Sequence, residues 1–236
     1  MAGHGRKRHL NRHNLPLATK LARKGKNQWV KKPIPGKHPQ SDSISLVLLL
    51  RDRLSLAENA RQAKKLLNNG EVLIDGVKTK FLGAPVGLMD VVSIPKLSLH
   101  YRVFVSKGAI ALKEITAEQA GLKYCRIIGK TTKKKGKVQL NLHDARNFVI
   151  EKEEDRFKTG DTVLTSITPK QEIKGILKME PGAKCLVFKG KHAGTVGVLE
   201  ALMERAGSKA TEARLKSEGE SFITLKNYLI VVDDKF

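Results

Sequence analysis

Arg61, Lys64, Lys65 and Asn68 share one helical stripe, and Lys78 and Lys80 follow at a spacing of two. Cationic side chains in this density neutralise a phosphate backbone and release its counterions, which is chemistry of binding and not of bond breaking. Serine, cysteine and threonine occupy no recognisable nucleophile motif. Glu151-Lys152-Glu153-Glu154-Asp155 has the residue types for a hard cation or a carboxylate pair, but no second cluster is spaced to complete a site, so it reads as a solvated turn. His4, His9 and His13 lie among cations that would repel a metal, and His100, His143 and His192 are isolated. No catalytic residue, metal or cofactor is expected.

Two glycine-bearing stretches invite a nucleotide reading, and both fail on spacing. Gly190 to Gly197 lets a loop turn sharply but matches neither G-x-G-x-x-G nor G-x-x-x-x-G-K-[ST]. Ile128-Gly129-Lys130-Thr131 resembles the tail of a phosphate loop, yet Tyr124 stands where the first glycine is needed. Lys130, Lys133, Lys134, Lys135 and Lys137 read better as a lysine-tipped hairpin.

The basic residues need a helix and a hairpin to position them. Ser55 followed by Glu58 has the spacing of a capping box, which predicts a helix starting at Ser55. Leu56, Ala60, Ala63 and Leu67 form an apolar stripe roughly 120° from the basic one. Asn69-Gly70 ends the helix, because glycine accepts the left-handed backbone there. Val72, Ile74, Val77 and Thr79 flank Asp75-Gly76, the dipeptide of a tight hairpin, and period two turns Lys78 and Lys80 to one face.

The whole chain supports a polyanion as partner. Its 236 residues carry 45 Lys plus Arg against 23 Asp plus Glu, a net charge of +22, which self-repels unless neutralised. Apolar content of 40% is enough for real cores. The longest apolar run, Leu46 to Leu50, is far too short for a membrane span, and no hydrophobic stretch follows the basic start as a secretory signal would. Cys125 and Cys185 read as small core residues more readily than as a disulfide.

Composition divides the chain into four parts. Residues 1–41 hold eleven Lys or Arg, four His and no acid, and read as a basic arm that gains order on nucleic acid. A short helix is expected around Leu15 to Lys24, and Trp29 suits either base stacking or a packing contact. Residues 42–105 form a compact unit: a first helix marked by Ile44, Val47, Leu48, Leu50 and Leu54, then the helix and hairpin, a strand from Leu88 to Ile94 closed by Pro95, and a last strand from Tyr101 to Val105. Residues 106–174 are β-rich, with strands at Tyr124 to Ile128, Val138 to Leu142, Phe148 to Glu151 and Thr162 to Ile167. Residues 175–236 repeat the theme at Cys185 to Phe188, Thr195 to Leu199, Ser221 to Leu225 and Tyr228 to Val232, spaced as in a small barrel.

These residues carry a resemblance. Ser43 to Val105 resembles the S4-type RNA-binding module, or alpha-L motif, through Arg51-Asp52-Arg53-Leu54, Ala60-Arg61-Gln62-Ala63, Asn69-Gly70-Glu71-Val72 and the Asp75-Gly76 turn. Pro181 to Leu199 resembles the KOW motif, with Gly194 in the place of its fixed glycine. The order of parts is similar, over nearly the whole chain, to the S4e family of small-subunit ribosomal proteins. The chain is shorter than eukaryotic members, which favours an archaeal source.

The resemblance implies a multidomain α+β fold: the alpha-L module, a small β-rich central domain, and a small SH3-like β-barrel with the KOW motif. It implies a structural, non-enzymatic constituent of the small ribosomal subunit, cytoplasmic, with small-subunit rRNA and neighbouring ribosomal proteins as partners, no membrane and no homo-oligomer. RNA contacts are expected at Arg6, Lys7, Arg8, Arg12, Arg23, Lys24, Lys26, Lys31 and Lys32 of the arm. Arg51, Arg53, Arg61, Lys64, Lys65, Lys78 and Lys80 of the module follow, then Lys133, Lys134 and Lys135. Lys189, Lys191 and His192 meet RNA or a protein neighbour. The alternatives are an RNA-modifying enzyme, which needs a buried Asp or activated nucleophile in residues 106–236, and a free RNA-binding or transcription factor using the same modules.

Overall fold

Short β-branched runs separated by glycine turns dominate the sequence, and the chain folds as a mixed α+β protein made mostly of antiparallel sheet. The computed structural model describes residues 9–21, 28–152, 155–167, 171–205, 210–217 and 219–233. Arg6, Lys7, Arg8, Arg23, Lys24, Lys26, Glu153 and Glu154 lie outside the described residues, as does the side chain of Lys135.

The described part of the arm is folded onto the body. β1 (Leu10–Asn11) pairs with β2 (Trp29–Val30), and Leu10 and Val30 are buried. Leu15, Ala18 and Leu21 pack on the main core. Of the helix expected from Leu15 to Lys24, the described residues show a single 3-10 turn over Leu17–Thr19, ended by Lys20 at φ +40°, and residues 22–24 lie outside the described residues. Apolar anchors scattered among the lysines give the arm a docking face of its own.

β3 (Ser43–Ser45) replaces the start of the helix expected from Ile44. The helical part begins with α1 (Leu46–Leu48) and continues as a π-turn over Leu49–Arg53. Ser55 does not cap the next helix; it sits at φ +53° and lets the Leu56 N–H reach back to the Leu50 carbonyl at 2.9 Å. That contact closes the preceding turn from its C-terminal side. α2 (Ala60–Asn68) is capped instead by Asn59, whose Oδ1 accepts from the Gln62 N–H at 3.0 Å. Gln62 Oε1 in turn accepts from the Glu58 N–H at 2.8 Å. Its apolar side is Ala63 and Leu67, with Ala57 just before the helix; Ala60 of the expected stripe is exposed.

β4 (Leu73–Ile74) and β5 (Val77–Lys78) form the expected hairpin, with Asp75 at φ +49° and Gly76 at φ +72°. β6 (Pro85–Gly87) pairs back with β3. β7 (Val91–Ile94) starts later than expected, because Met89 turns at φ +63° and the Asp90 carboxylate accepts from the Gly87 N–H at 3.0 Å. β8 (Leu99–Ser106) and β9 (Ala109–Glu114) complete a sheet in the order β5-β4-β7-β8-β9. The division expected between residues 105 and 106 thus falls inside a hairpin, turned by Lys107-Gly108 at positive φ.

After α3 (Ala117–Ala120) the second sheet is built from β10 (Leu122–Thr132), β11 (Val138–Leu142), β12 (Asn147–Ile150), β13 (Thr162–Ser166) and β14 (Ile173–Leu177), in the order β12-β11-β10-β13-β14. The third holds β15 (Lys184–Val187), β16 (Val196–Met203), β17 (Glu212–Ser217), β18 (Glu220–Leu225) and β19 (Leu229–Val231), in the order β18-β17-β16-β15-β19. All four strands expected in each of the last two parts are present within a few residues; besides β9, two strands there were not expected, β14 and β17. Gly175 interrupts the first, and Glu212, Arg214 and Lys216 mask the alternation of the second. Cys125 and Cys185 are both free and buried, one in the core of each sheet.

The three sheets are fused. Leu88 and Met89, Tyr124, and Leu186, Ile230 and Val232 pack in one buried cluster drawn from all of them. The Val231 N–H donates to Thr162 Oγ1 at 3.0 Å across the last two. Gly194, at φ +100°, presses the third sheet onto the β8–β9 turn: a Cβ there would lie 2.8 Å from Ser106 Cα and 2.9 Å from the Lys107 nitrogen. Gly194→Ala meets both a backbone penalty and overpacking, so urea denaturation should show a loss of about 3 kcal/mol; an unchanged midpoint would contradict this packing.

Candidate nucleic-acid interface

Burial of Ala63 and Leu67 fixes the rotation of α2 and leaves Arg61, Lys64 and Lys65 exposed. The Lys78 stem lies along the helix exit, where a Cβ on Gly70 would come 3.3 Å from Lys78 Cδ. Helix end and hairpin therefore form one surface. Arg61, Lys64, Lys65, Lys78 and Lys80 are exposed and make no ion pair with any described residue. Lys96, which sequence reasoning missed, reaches the same place and bonds Glu71 at 2.6 Å. That bond, then the Asn69 amide, holds the Glu71 carboxyl below its ordinary value, and Lys65 adds to the effect. Val77 and Phe81 stand exposed among these cations, Phe81 at 68%. An exposed aromatic beside lysines offers a surface on which a base can stack.

Other expected contacts are distributed differently. Lys31 is exposed and Lys32 half-buried, and a Cβ on Gly83 would lie 3.1 Å from the Lys32 carbonyl, so this part of the arm adjoins the hairpin exit. Arg12 is half-buried, and Trp29 is 59% exposed with its ring tilted against His9. Lys133 and Lys134 sit at the β10–β11 tip. The stem of that hairpin is neutralised by the acidic run, since Lys137 pairs with Glu151 at 2.7 Å and Lys130 with Asp155.

Three expected contacts are engaged inside the protein. Arg51 forks onto Asp52 at 2.8 and 3.1 Å. Arg53 donates to the Thr19 carbonyl at 2.9 Å and so holds the arm. Lys189 pairs with Asp42 at 2.7 Å. His192 stacks on Phe222 with centroids 4.4 Å apart, whereas Lys191 is exposed.

What holds the platform to the second sheet is a buried charge cluster that the sequence did not announce. Lys123 Nζ, fully buried on β10, lies 2.7 Å from Asp75, 2.6 Å from Asp90 and 3.0 Å from Asp144. Arg146 bridges Asp75 at 2.9 Å and Asp144 at 3.1 Å, and Lys37 of the arm reaches Asp75 at 2.8 Å. His38 stands 3.0 Å from Asp90. Three carboxylates thus meet three permanent cations. Asp75, the turn residue of the basic hairpin, also accepts from the Val91 N–H at 3.0 Å. The hairpin carrying Lys78 and Lys80 is therefore fixed by its own turn.

Burial alone would raise the Asp90 carboxyl, but Lys123 and then His38 hold it well below its ordinary range. Burial and Lys123 act against each other at Asp144 in the same way, and its value is also lowered. Lys123 is the converse: burial would lower it, and Asp90, Asp75 and Asp144 together raise it. Beside them, burial and then the Lys123 charge push His143 down to about 4. Its Nδ1 accepts from the Arg126 N–H at 3.1 Å, so the ring is neutral and its Nε2–H faces the Leu88 carbonyl at 3.2 Å.

A pH dependence follows. Neutral His143 stabilises the fold above its ordinary 6.5, and this is lost as pH falls toward 4. Asp90 and Asp144 stabilise above their ordinary 3.8 and lose that contribution below it. Lys123 contributes fully below its ordinary 10.5 and loses its effect only above that. Urea unfolding should therefore be level from about pH 7 to 9 and weaken by on the order of 2 kcal/mol by about pH 4.5; a level profile through that range would contradict the burial of neutral His143.

Cys125, His143 and Asp144 offer ligand atoms within 4.8 Å of one another. They do not suit a metal: both His143 nitrogens are engaged, burial raises the Cys125 thiol to about 12, and Lys123 and Arg146 already neutralise Asp144.

The chain is similar to known proteins. A family model described as "Ribosomal family S4e" matches residues 97–173. The small ribosomal subunit protein eS4 of Methanocaldococcus jannaschii is 45% identical over 243 residues, covering 100% of this chain and 98% of the relative. Its counterpart in Methanosphaera stadtmanae is 42% identical, covering 98% and 95%. The crystal structure of the 30S ribosomal protein S4e from Thermoplasma acidophilum superposes with a TM-score of 0.71 at 31% identity, covering 83% of this chain and 97% of that one. With full-length identity at this level and a shared fold, the chain belongs to the ribosomal S4e family.

Proposed function

We propose that this chain is a structural constituent of the small ribosomal subunit that binds and stabilises folded rRNA, with neighbouring ribosomal proteins as its other partners. The observation that carries the reading is the patch of Arg61, Lys64, Lys65, Lys78 and Lys80, exposed and paired with no carboxylate among the described residues, on a chain of net charge +22. Their relatives' names supply the ribosome as the place. Residues 43–105 act as the alpha-L module, 106–174 as the central β-rich domain, and the third sheet as an SH3-like barrel whose KOW glycine is Gly194. In this reading the cations neutralise phosphates on helical RNA, where backbone shape is recognised more than base sequence. Lys31, Lys32, Lys133, Lys134 and Lys191 extend the contact, and Arg51, Arg53 and Lys189 serve mainly to hold the protein together. Sedimentation of a cell extract tests the assignment: the protein should travel with the small subunit and remain there at moderate salt, and recovery only in the soluble fraction would contradict it.

A further inference from the structure

Two very short strands give the arm a face of its own. β1 and β2 pair Leu10 with Val30 and Asn11 with Trp29, and the Arg12 N–H extends the ladder to the Gln28 carbonyl at 2.9 Å. Successive side chains on a strand point to opposite sides, and residues directly opposite across a pair share one side. Leu10 and Val30 are buried, which turns His9, Asn11, Trp29 and Lys31 together to the other side. There Trp29 stands 59% exposed, and the His9 ring leans on it with centroids 5.6 Å apart and planes at 58°. The Asn11 side-chain oxygen accepts from the His13 N–H at 3.1 Å. Lys31 pairs with no carboxylate among the described residues. A cleft of about 1080 Å³ opens beside this face, lined by Trp29, Lys31, Lys32, Ile34 and Pro35 among others, and no Asp or Glu stands in its wall.

An indole left in solvent offers a surface to a flat or apolar partner, and the charge around it decides which. A protein covering Trp29 would have to bring its own carboxylates to an arm with eleven Lys or Arg and no acid. A paired RNA segment brings phosphates but no open ring, since its bases are stacked inside and its deep major groove is closed to side chains. An unpaired RNA segment brings both: base faces for the indole and a phosphate beside each for a lysine. We infer that the face of His9, Asn11, Trp29 and Lys31 receives a single-stranded segment of the RNA, with one base stacked on Trp29 and the adjoining phosphate on Lys31. The inference rests on the RNA-binding reading above and deepens it: α2 and its hairpin take the phosphates of helical RNA, and the arm takes an unpaired strand.

Trp29 is the sole tryptophan, so the fluorescence of the full-length protein reports on this face. Titration with oligouridylate, whose bases are unpaired, should quench that fluorescence saturably. A dye-labelled RNA duplex should bind, as read by its anisotropy, and leave the fluorescence unchanged. Trp29→Leu should weaken oligouridylate binding about tenfold, the contribution of one stacked base, with the melting temperature and the duplex affinity unaltered. Trp29→Phe should restore most of that loss. In assembled small subunits, p-benzoylphenylalanine in place of Trp29 should crosslink to an unpaired rRNA nucleotide. Fluorescence unmoved by oligouridylate, equal quenching by the duplex, an unaltered oligouridylate affinity of Trp29→Leu, a crosslink to protein, or no crosslink would each overturn the stacking face. If the wild-type chain binds neither oligouridylate, duplex nor small-subunit rRNA, the RNA-binding reading itself falls, which separates the two failures.

Discussion

Lys123→Met is expected to lower the melting temperature by about 10 °C, the largest effect of any single substitution considered. Its ammonium is the common partner of Asp75, Asp90 and Asp144, all buried. Removing one member of a buried ionic group costs about 3–5 kcal/mol, because the remaining charges lose their compensation without regaining water. In a chain of this size each kcal/mol moves the midpoint by about 2–4 °C. Circular dichroism melts check it. A companion variant carrying Asp90→Asn as well should recover part of the loss, since one uncompensated charge is then removed; a single variant that melts like the wild type would show that Lys123 does not bind the sheets together.

The effect should reach the RNA surface. Asp75 and Asp90 come from the unit that carries the platform, and Lys123, Asp144 and Arg146 from the second sheet. Lys37 and His38 belong to the arm. Releasing Asp75 frees the turn that presents Lys78. Rigid placement of cations matters because a phosphate contact gains most when its side chain is already oriented.

How legible this was in the sequence differs from residue to residue. Asp75-Gly76 announced its turn because both positions need positive φ, and Asn69-Gly70 announced the helix end because the glycine takes positive φ just after it. Local backbone chemistry of this kind is written in adjacent residues. The start of α2 was misplaced because Ser55 and Asn59 are both good capping residues with an acceptor three positions on; which one caps was decided by the π-turn before Ser55, which has no simple sequence pattern. Asp75 was read only as a turn former, and its second role depends on partners 48 and 71 residues away. One signal was available. In β10, Lys123 shares the strand face of Cys125 and Ile127, and a lysine in line with core residues demands a buried counter-charge. The exposed arginines and lysines of α2 were readable from helical phase, but that Arg51, Arg53 and Lys189 bond other groups of the protein depends on Asp52, Thr19 and Asp42 as placed by the fold.

The second large effect is on RNA binding. Arg61→Ala, Lys64→Ala and Lys65→Ala combined remove three exposed cations, paired with no described residue, from one helix face without touching its buried side. Each phosphate contact contributes about 0.7–0.9 to the slope of log K against log salt, so three should flatten it by about 2 and weaken affinity at low salt. Arg51→Ala and Lys189→Ala, already paired inside the protein, should change the slope by well under one. The most direct test of the account is this slope, measured by titrating small-subunit rRNA with the wild-type and triple-alanine proteins over a salt series. A slope lower by about 2 with an unchanged melting temperature is the predicted result, and an unchanged slope would contradict the assignment of α2 and its hairpin as the phosphate-binding surface.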